Sequence, residues 1–183
     1  MKIKLMDFVN VTQISYVTFN RKILGEWVHL RRKSGFCELI HATGLLDDLC
    51  TEPQDIALLI EACTNFRDEF LLHMLWESGM RIGEALALWL EDFEIDGRRI
   101  HIRDRGELSN LAEIKTVCSP RTLDVSADLM NMYLDYITEF HTDEVDTNHV
   151  FIKISGENMD YPLEYGDVAS LFKRISGRGN VQN

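Results

Sequence analysis

Long apolar runs, paired cysteines and positive charge are all scarce in this 183-residue chain, and each shortage narrows its function. No stretch approaches the roughly 18 consecutive apolar residues that a membrane-spanning helix needs. The opening Met1-Lys2-Ile3-Lys4-Leu5-Met6 starts like a secretion signal, but Asp7 and Asn10 interrupt it, so a cytoplasmic protein with no membrane partner is expected. Cys37, Cys50, Cys63 and Cys118 stand far apart without a Cys-x-x-Cys pair, which argues against a metal clip or a disulfide framework and for reduced thiols. His29, His41, His73, His101, His141 and His149 show no metal-ligand spacing either. Neither metal nor cofactor is expected.

Basic residues number 19 against 30 acidic ones, a net charge of −11 that opposes nucleic-acid binding overall. The distribution is uneven. Residues 1–34 carry seven basic groups (Lys2, Lys4, Arg21, Lys22, Arg31, Arg32, Lys33) against Asp7 and Glu26, a local balance of +5 that leaves −16 for the remainder. A basic groove is therefore compatible with an acidic total.

Local patterns predict a mostly α-helical α+β chain with a small antiparallel sheet. Residues 14–18 read as a strand, and residues 20–33 as an amphipathic helix with Ile23, Leu24, Trp27 and Leu30 on one side and basic groups between them. Residues 43–52 read as a connector. Thr51-Glu52-Pro53-Gln54 opens a helix to about Cys63, with Thr51 as its cap. Residues 66–77 form a second helix with Phe70, Leu71, Met74 and Leu75 on a wide apolar face, closed by Ser78-Gly79. A third helix is expected over residues 80–90. Residues 93–103 alternate around Asp96-Gly97 as a hairpin, residues 105–110 form a polar loop leading to residues 113–118, and residues 121–125 add a strand. Ser126 caps a helix to residue 140 with Leu129, Met130, Tyr133, Leu134 and Ile137 inward and Tyr136 on the flank. Residues 150–154 read as a short strand and residues 166–175 as a last helix.

The informative stretch is Ser78-Gly79-Met80-Arg81-Ile82-Gly83-Glu84-Ala85-Leu86-Ala87-Leu88. A glycine turn delivers Arg81 to a helix start, where its planar fork can grip a phosphate bidentately and helix N–H groups can assist. Taken alone, Arg81 and Glu84 read more readily as a surface ion pair at i, i+3. The wider pattern is more specific. Glu91-Asp92-Phe93 and a hairpin follow, then Ile114-Lys115-Thr116 and Ser119-Pro120-Arg121-Thr122-Leu123-Asp124-Val125, with Asn65-Phe66-Arg67-Asp68-Glu69-Phe70-Leu71-Leu72 upstream. Over residues 51–175 this combination resembles the catalytic domain of the tyrosine recombinases, the phage integrase family, in its bacterial phage- and transposon-borne forms.

The resemblance implies the family's DNA breaking–rejoining fold, incomplete here at the C-terminal end, and a role in DNA integration or transposition by strand exchange. It makes Arg81 the first catalytic arginine, gripping the scissile phosphate, and Lys115 the hairpin lysine that protonates the leaving 5′-oxygen; Glu84 would support Arg81 without chemistry of its own. It implies double-stranded DNA as partner and a parent protein assembling as a tetramer on that DNA. Family members continue into a histidine–two residues–arginine box, a second histidine or tryptophan, and a nucleophilic tyrosine. Here the chain runs Ser176-Gly177-Arg178-Gly179-Asn180-Val181-Gln182-Asn183, with no histidine three positions before Arg178. Tyr133, Tyr136, Tyr161 and Tyr165 are expected to pack rather than to attack phosphorus. The polypeptide is therefore expected not to cleave DNA alone, and its status as an enzyme stays open. Residues 1–50 read as an arm or linker, or a remnant of the family's core-binding domain, with Arg21, Lys22, Arg31, Arg32 and Lys33 as candidate DNA contacts; residues 51–183 read as the first portion of the catalytic domain. Two rival readings are a catalytically dead DNA-binding or regulatory relic and an acidic helical interaction module with no DNA function.

Overall fold

A computed structural model describes residues 53–112 and 120–178. The expectations for residues 14–18, 20–33, 43–52 and 113–118, and the Thr51 cap, lie outside the described residues. The described chain is α+β. Helices α1 (Pro53–Glu61), α2 (Phe66–Ser78) and the single-turn α3 (Ile82–Leu86) precede a 3-10 turn, Leu90–Asp92. Strands β1 (Phe93–Glu94), β2 (Arg99–Ile102) and β3 (Arg121–Asp124) follow, then α4 (Ala127–Phe140) and α5 (Tyr165–Arg178).

Helix α2 is the centre of the fold. Asn65 caps it twice over: its Oδ1 accepts from the Asp68 N–H at 2.9 Å, and its Nδ2 donates to Asp68 Oδ2 at 2.8 Å. Residues Phe70 to Leu75 are all buried, so α2 is surrounded rather than laid on a surface. Gly79 ends it at φ 63°, with its N–H on the Leu75 carbonyl at 3.1 Å, a left-handed step that suits glycine. Helix α1 packs on α2 through Ile56, Leu59 and Ile60. Ser126 Oγ caps α4 by accepting from the Leu129 N–H at 3.0 Å.

The α4 face is rotated from the expected one. Tyr136 is fully buried rather than flanking, whereas Leu134 and Ile137 are only partly covered. The cause is an aromatic cluster: Phe70 lies 5.3 Å from Tyr136 and 5.5 Å from Phe151, and Phe93 stacks on Tyr133 at 3.8 Å. Helix α5 buries Val168, Leu171, Phe172 and Ile175, the i, i+3, i+4, i+7 stripe of an amphipathic helix.

The antiparallel sheet has order β1-β2-β3, with Phe93 opposite Ile100, and Ile100 opposite Leu123. Ile100 and Ile102 face the core, while His101 sits on the outer face between Glu94 and Thr122. The first hairpin turn spans residues 95–98, and Arg98, at φ 51°, takes its left-handed position instead of Gly97.

Two expected elements are shorter than their patterns suggest. The helix over residues 80–90 stops at Leu86. Leu88 O instead accepts from Val150 N–H, and Leu90 N–H donates to Asn148 O, each at 2.9 Å, so tertiary pairing takes the backbone groups a longer helix would need. Residues 150–154 form isolated bridges, Ile152 with Pro162 and the neighbouring His149 with Trp89, rather than a strand. Lys153 N–H to Tyr161 O at 2.8 Å and Leu163 N–H to Phe151 O at 2.9 Å flank the Ile152–Pro162 pair, and the pairing does not extend into a regular strand.

Candidate functional site

The turn after α2 sets the position of Arg81. Gly79 reverses the chain, Met80 is fully buried beneath it, and Arg81 enters α3 with extended backbone, φ −73° and ψ 153°. Met80 works as a plug: with its side chain in the core, the next residue is fixed at the surface. Arg81 keeps 41% of its side chain exposed, whereas the Glu84 side chain is 1% exposed.

Glu84 is the hub. Its Oε2 accepts from the Arg81 backbone N–H at 2.8 Å, and its two oxygens take the Arg121 fork, Nη1 at 2.8 Å and Nη2 at 2.9 Å. The Arg81 guanidinium stands farther off, Nη1 to Oε1 at 3.5 Å. Burial pushes the Glu84 carboxyl up, but the Arg121 hydrogen bonds, the Arg81 N–H and the two guanidinium charges outweigh it, and the group sits below its ordinary value. A short, paired Arg121 contact and a long Arg81 contact mean that Arg121 carries most of the neutralisation. Arg121 reaches Glu84 because it pairs across the ladder with buried Ile102 and so lies on the core side of the sheet.

Because α3 has only five residues, it cannot offer the anion site expected of a helix start, and the Arg81 N–H is already taken by Glu84. Its far end is tied by side chains. Leu86 O accepts from Asn110 Nδ2 at 2.9 Å and faces His149 Nδ1 at 3.3 Å, and Asn110 Nδ2 also donates to Leu163 O at 3.0 Å. These contacts satisfy a carbonyl that the helix itself leaves open.

A second buried carboxylate braces the other side of this segment. Asp92, fully buried, accepts from the Trp89 N–H at 2.8 Å and from both Arg105 guanidinium nitrogens at 2.9 and 2.8 Å. The same guanidinium lies over the Trp89 ring at 4.4 Å from its centroid. Burial lowers the Arg105 pKa, but Asp92 and Glu91 more than reverse that. Behind the site, Arg67 donates to Asp68 and, at 3.1 Å, to Ile152 O, while Arg174 of α5 reaches Asp68 Oδ2 at 3.2 Å.

The structure thus places Arg81 and Glu84 together and adds Arg121, which local sequence patterns do not single out. Lys115, Arg21, Lys22, Arg31, Arg32 and Lys33 lie outside the described residues. Tyr133 is buried, donates to Leu90 O at 3.0 Å, and is pushed up to about 12 by burial and the nearby Asp92 charge. The Tyr136 hydroxyl is buried against Ile152 N–H. Tyr161, by contrast, is 65% exposed and does not fill the packing role expected of it, because residues 156–161 bulge outward with Gly156 and Asp160 at positive φ. Among the described residues no cluster of three or more metal-ligating side chains occurs, and no helix is long and apolar enough to cross a membrane.

Comparison with known proteins places the chain in a family. The profile of the phage integrase family matches residues 50–183, and the chain belongs to that family, the tyrosine recombinases. It is 35% identical over 129 residues to transposase A from transposon Tn554 of Staphylococcus aureus, a match covering 70% of this chain and 36% of that protein. The chain spans about a third of the length of the curated relatives it matches. The fold is similar to the crystal structure of XerA recombinase, with TM-score 0.56, 15% identity, and coverage of 72% of this chain and 42% of that one. It is also similar to the Tn1549 transposon integrase in complex with transposon right end DNA, with TM-score 0.55, 18% identity, and coverage of 99% and 66%.

Proposed function

We propose that this chain is the phosphate-gripping portion of a site-specific DNA recombinase that carries out integration or transposition by strand exchange. The observation that carries the reading is Arg81: buried Glu84 holds its backbone, while its guanidinium stays accessible and, among the described residues, makes a long ion pair. In strand exchange the charge that builds up on the phosphoryl oxygens is stabilised mainly by positioned cations. Arg81 supplies one of them at the scissile phosphate. Lys115 is assigned the proton that the leaving 5′-oxygen takes up, and Glu84 the support of Arg81.

Arg21, Lys22, Arg31, Arg32 and Lys33 are assigned to the DNA backbone, where they offset the acidic remainder of the chain. Tyr133 and Tyr136, with hydroxyls committed in the core, are not nucleophiles in this reading. The residues in hand bind and orient the phosphate, and the 183-residue polypeptide holds duplex DNA without nicking it. The parent protein works in the cytoplasm as a tetramer on its recombination site and needs no cofactor.

The test is binding of the full chain to a duplex oligonucleotide as salt is raised. Affinity is expected to fall steeply with salt, and Arg81→Ala to reduce the slope of log K against log salt by about one. An Arg81→Ala protein with unchanged affinity and slope would refute the assignment. Formation of a nicked product by the unaltered chain would refute the division between binding and cleavage.

A further inference from the structure

Arg121 belongs to none of the roles above, yet it holds the best-formed ion pair at the site. Its two nitrogens meet both Glu84 oxygens at 2.8 and 2.9 Å, from a strand 37 residues away in sequence. Glu84 is almost wholly buried, and a buried carboxylate requires a cation. Among the described residues, two arginines are within reach. Arg121 provides the close, two-pronged contact, and Arg81 provides a single one at 3.5 Å.

The geometry points to Arg121 as a positioning residue for the proposed phosphate grip: by neutralising Glu84 it keeps the Arg81 guanidinium available to an anion. The inference rests on the assignment of Arg81 above. Without Arg121, the cation nearest the buried carboxylate among the described residues is Arg81 itself, and its guanidinium would turn inward to form the short contact that Arg121 vacates. Arg121 would then act on the phosphate only through Arg81. It also joins β3 to the start of α3.

The test uses the full chain and a duplex oligonucleotide, with salt slope as readout and circular dichroism melting as the folding control. Arg121→Met is expected to lower the slope by about one, as Arg81→Ala does, which over a fourfold rise in salt amounts to about a 3.5-fold difference in affinity change. In an Arg81→Ala background, Arg121→Met is expected to change the slope no further. Adding Glu84→Gln to Arg121→Met removes the charge that captures Arg81, and the slope is expected to rise again from that of Arg121→Met. That double variant leaves no buried charge unpaired, so it carries the test where Arg121→Met alone does not fold.

A further loss of slope from Arg121→Met in the Arg81→Ala background would mean that Arg121 touches phosphate itself, and would overturn the inference. So would a double variant whose slope stays low. If Arg81→Ala lowers the slope and a folded Arg121→Met does not, the inference fails while the Arg81 assignment stands. If Arg81→Ala has no effect, both fall together.

Discussion

Replacing Arg105 by methionine keeps an unbranched apolar stem and removes the charged head, leaving the fully buried Asp92 carboxylate without its two-pronged partner. Breaking a buried ion pair from one side costs about 3–5 kcal/mol. Two contacts soften the loss here: the Trp89 N–H at 2.8 Å remains, and Arg103 Nε, on a half-exposed side chain, lies 3.5 Å from Asp92 Oδ1. Loss of the guanidinium from the Trp89 ring works the other way, by about 0.5–1 kcal/mol. The net expectation is a destabilisation of about 3 kcal/mol, which at a urea slope of about 2–3 kcal/mol/M moves the unfolding midpoint down by about 1 M. Adding Asp92→Asn to this variant removes the stranded charge and is expected to return at least about 1 kcal/mol. Equilibrium urea unfolding followed by tryptophan fluorescence measures both. A loss below about 1 kcal/mol for Arg105→Met, or a double variant no more stable than the single one, would refute the argument that Asp92 depends on Arg105.

Other outcomes follow from the same structure. Burial lowers His73 to about 4, so the unfolded chain binds the proton first as pH falls. Stability from this group is complete above about pH 6.5 and drains away toward pH 4, by about 3 kcal/mol in all, and His73→Leu should flatten a urea-stability profile across that window. Glu84 has a lowered folded value, so its contribution is full above its ordinary value of 4.5 and is lost as pH falls through the folded one; Glu84→Gln should remove that part of the acid limb. Ser126→Ala deletes the α4 cap and the hydroxyl donated to Glu77, and should cost about 1 kcal/mol, a fall of about 2–4 °C in melting temperature by calorimetry.

The elements that were legible in the sequence are those whose signals are local. Asn65, Gly79 and Ser126 are caps that act within four residues, and the core stripe of α5 repeats at helical spacing, so their elements can be read directly. Leu86-Ala87-Leu88-Trp89-Leu90 has good helical propensity, and nothing local reveals that Asn148 and Val150 will claim its backbone. Tyr136 looks like a flank until Phe70 and Phe151 are brought beside it. At the site, Arg81 and Glu84 stand three apart and can be paired on paper. Arg121 and Arg105 cannot, because their carboxylates lie 37 and 13 residues away and only the folded sheet and loop bring them together.

The brevity of α3 has a mechanical consequence. A five-residue helix has no independent stability, since its nucleus alone is unfavourable in water. It exists because Met80, Ala85 and Leu86 are sealed into the interior and because Asn110 and Arg121 hold it from outside. A loosened state that kept α2 and α4 but released these contacts would still look helical to far-ultraviolet light, yet the aim on phosphate proposed for Arg81 would already be gone. The anion grip proposed for Arg81 would therefore be a gauge of the tightness of the whole interior, and it should fade before the bulk helix signal does.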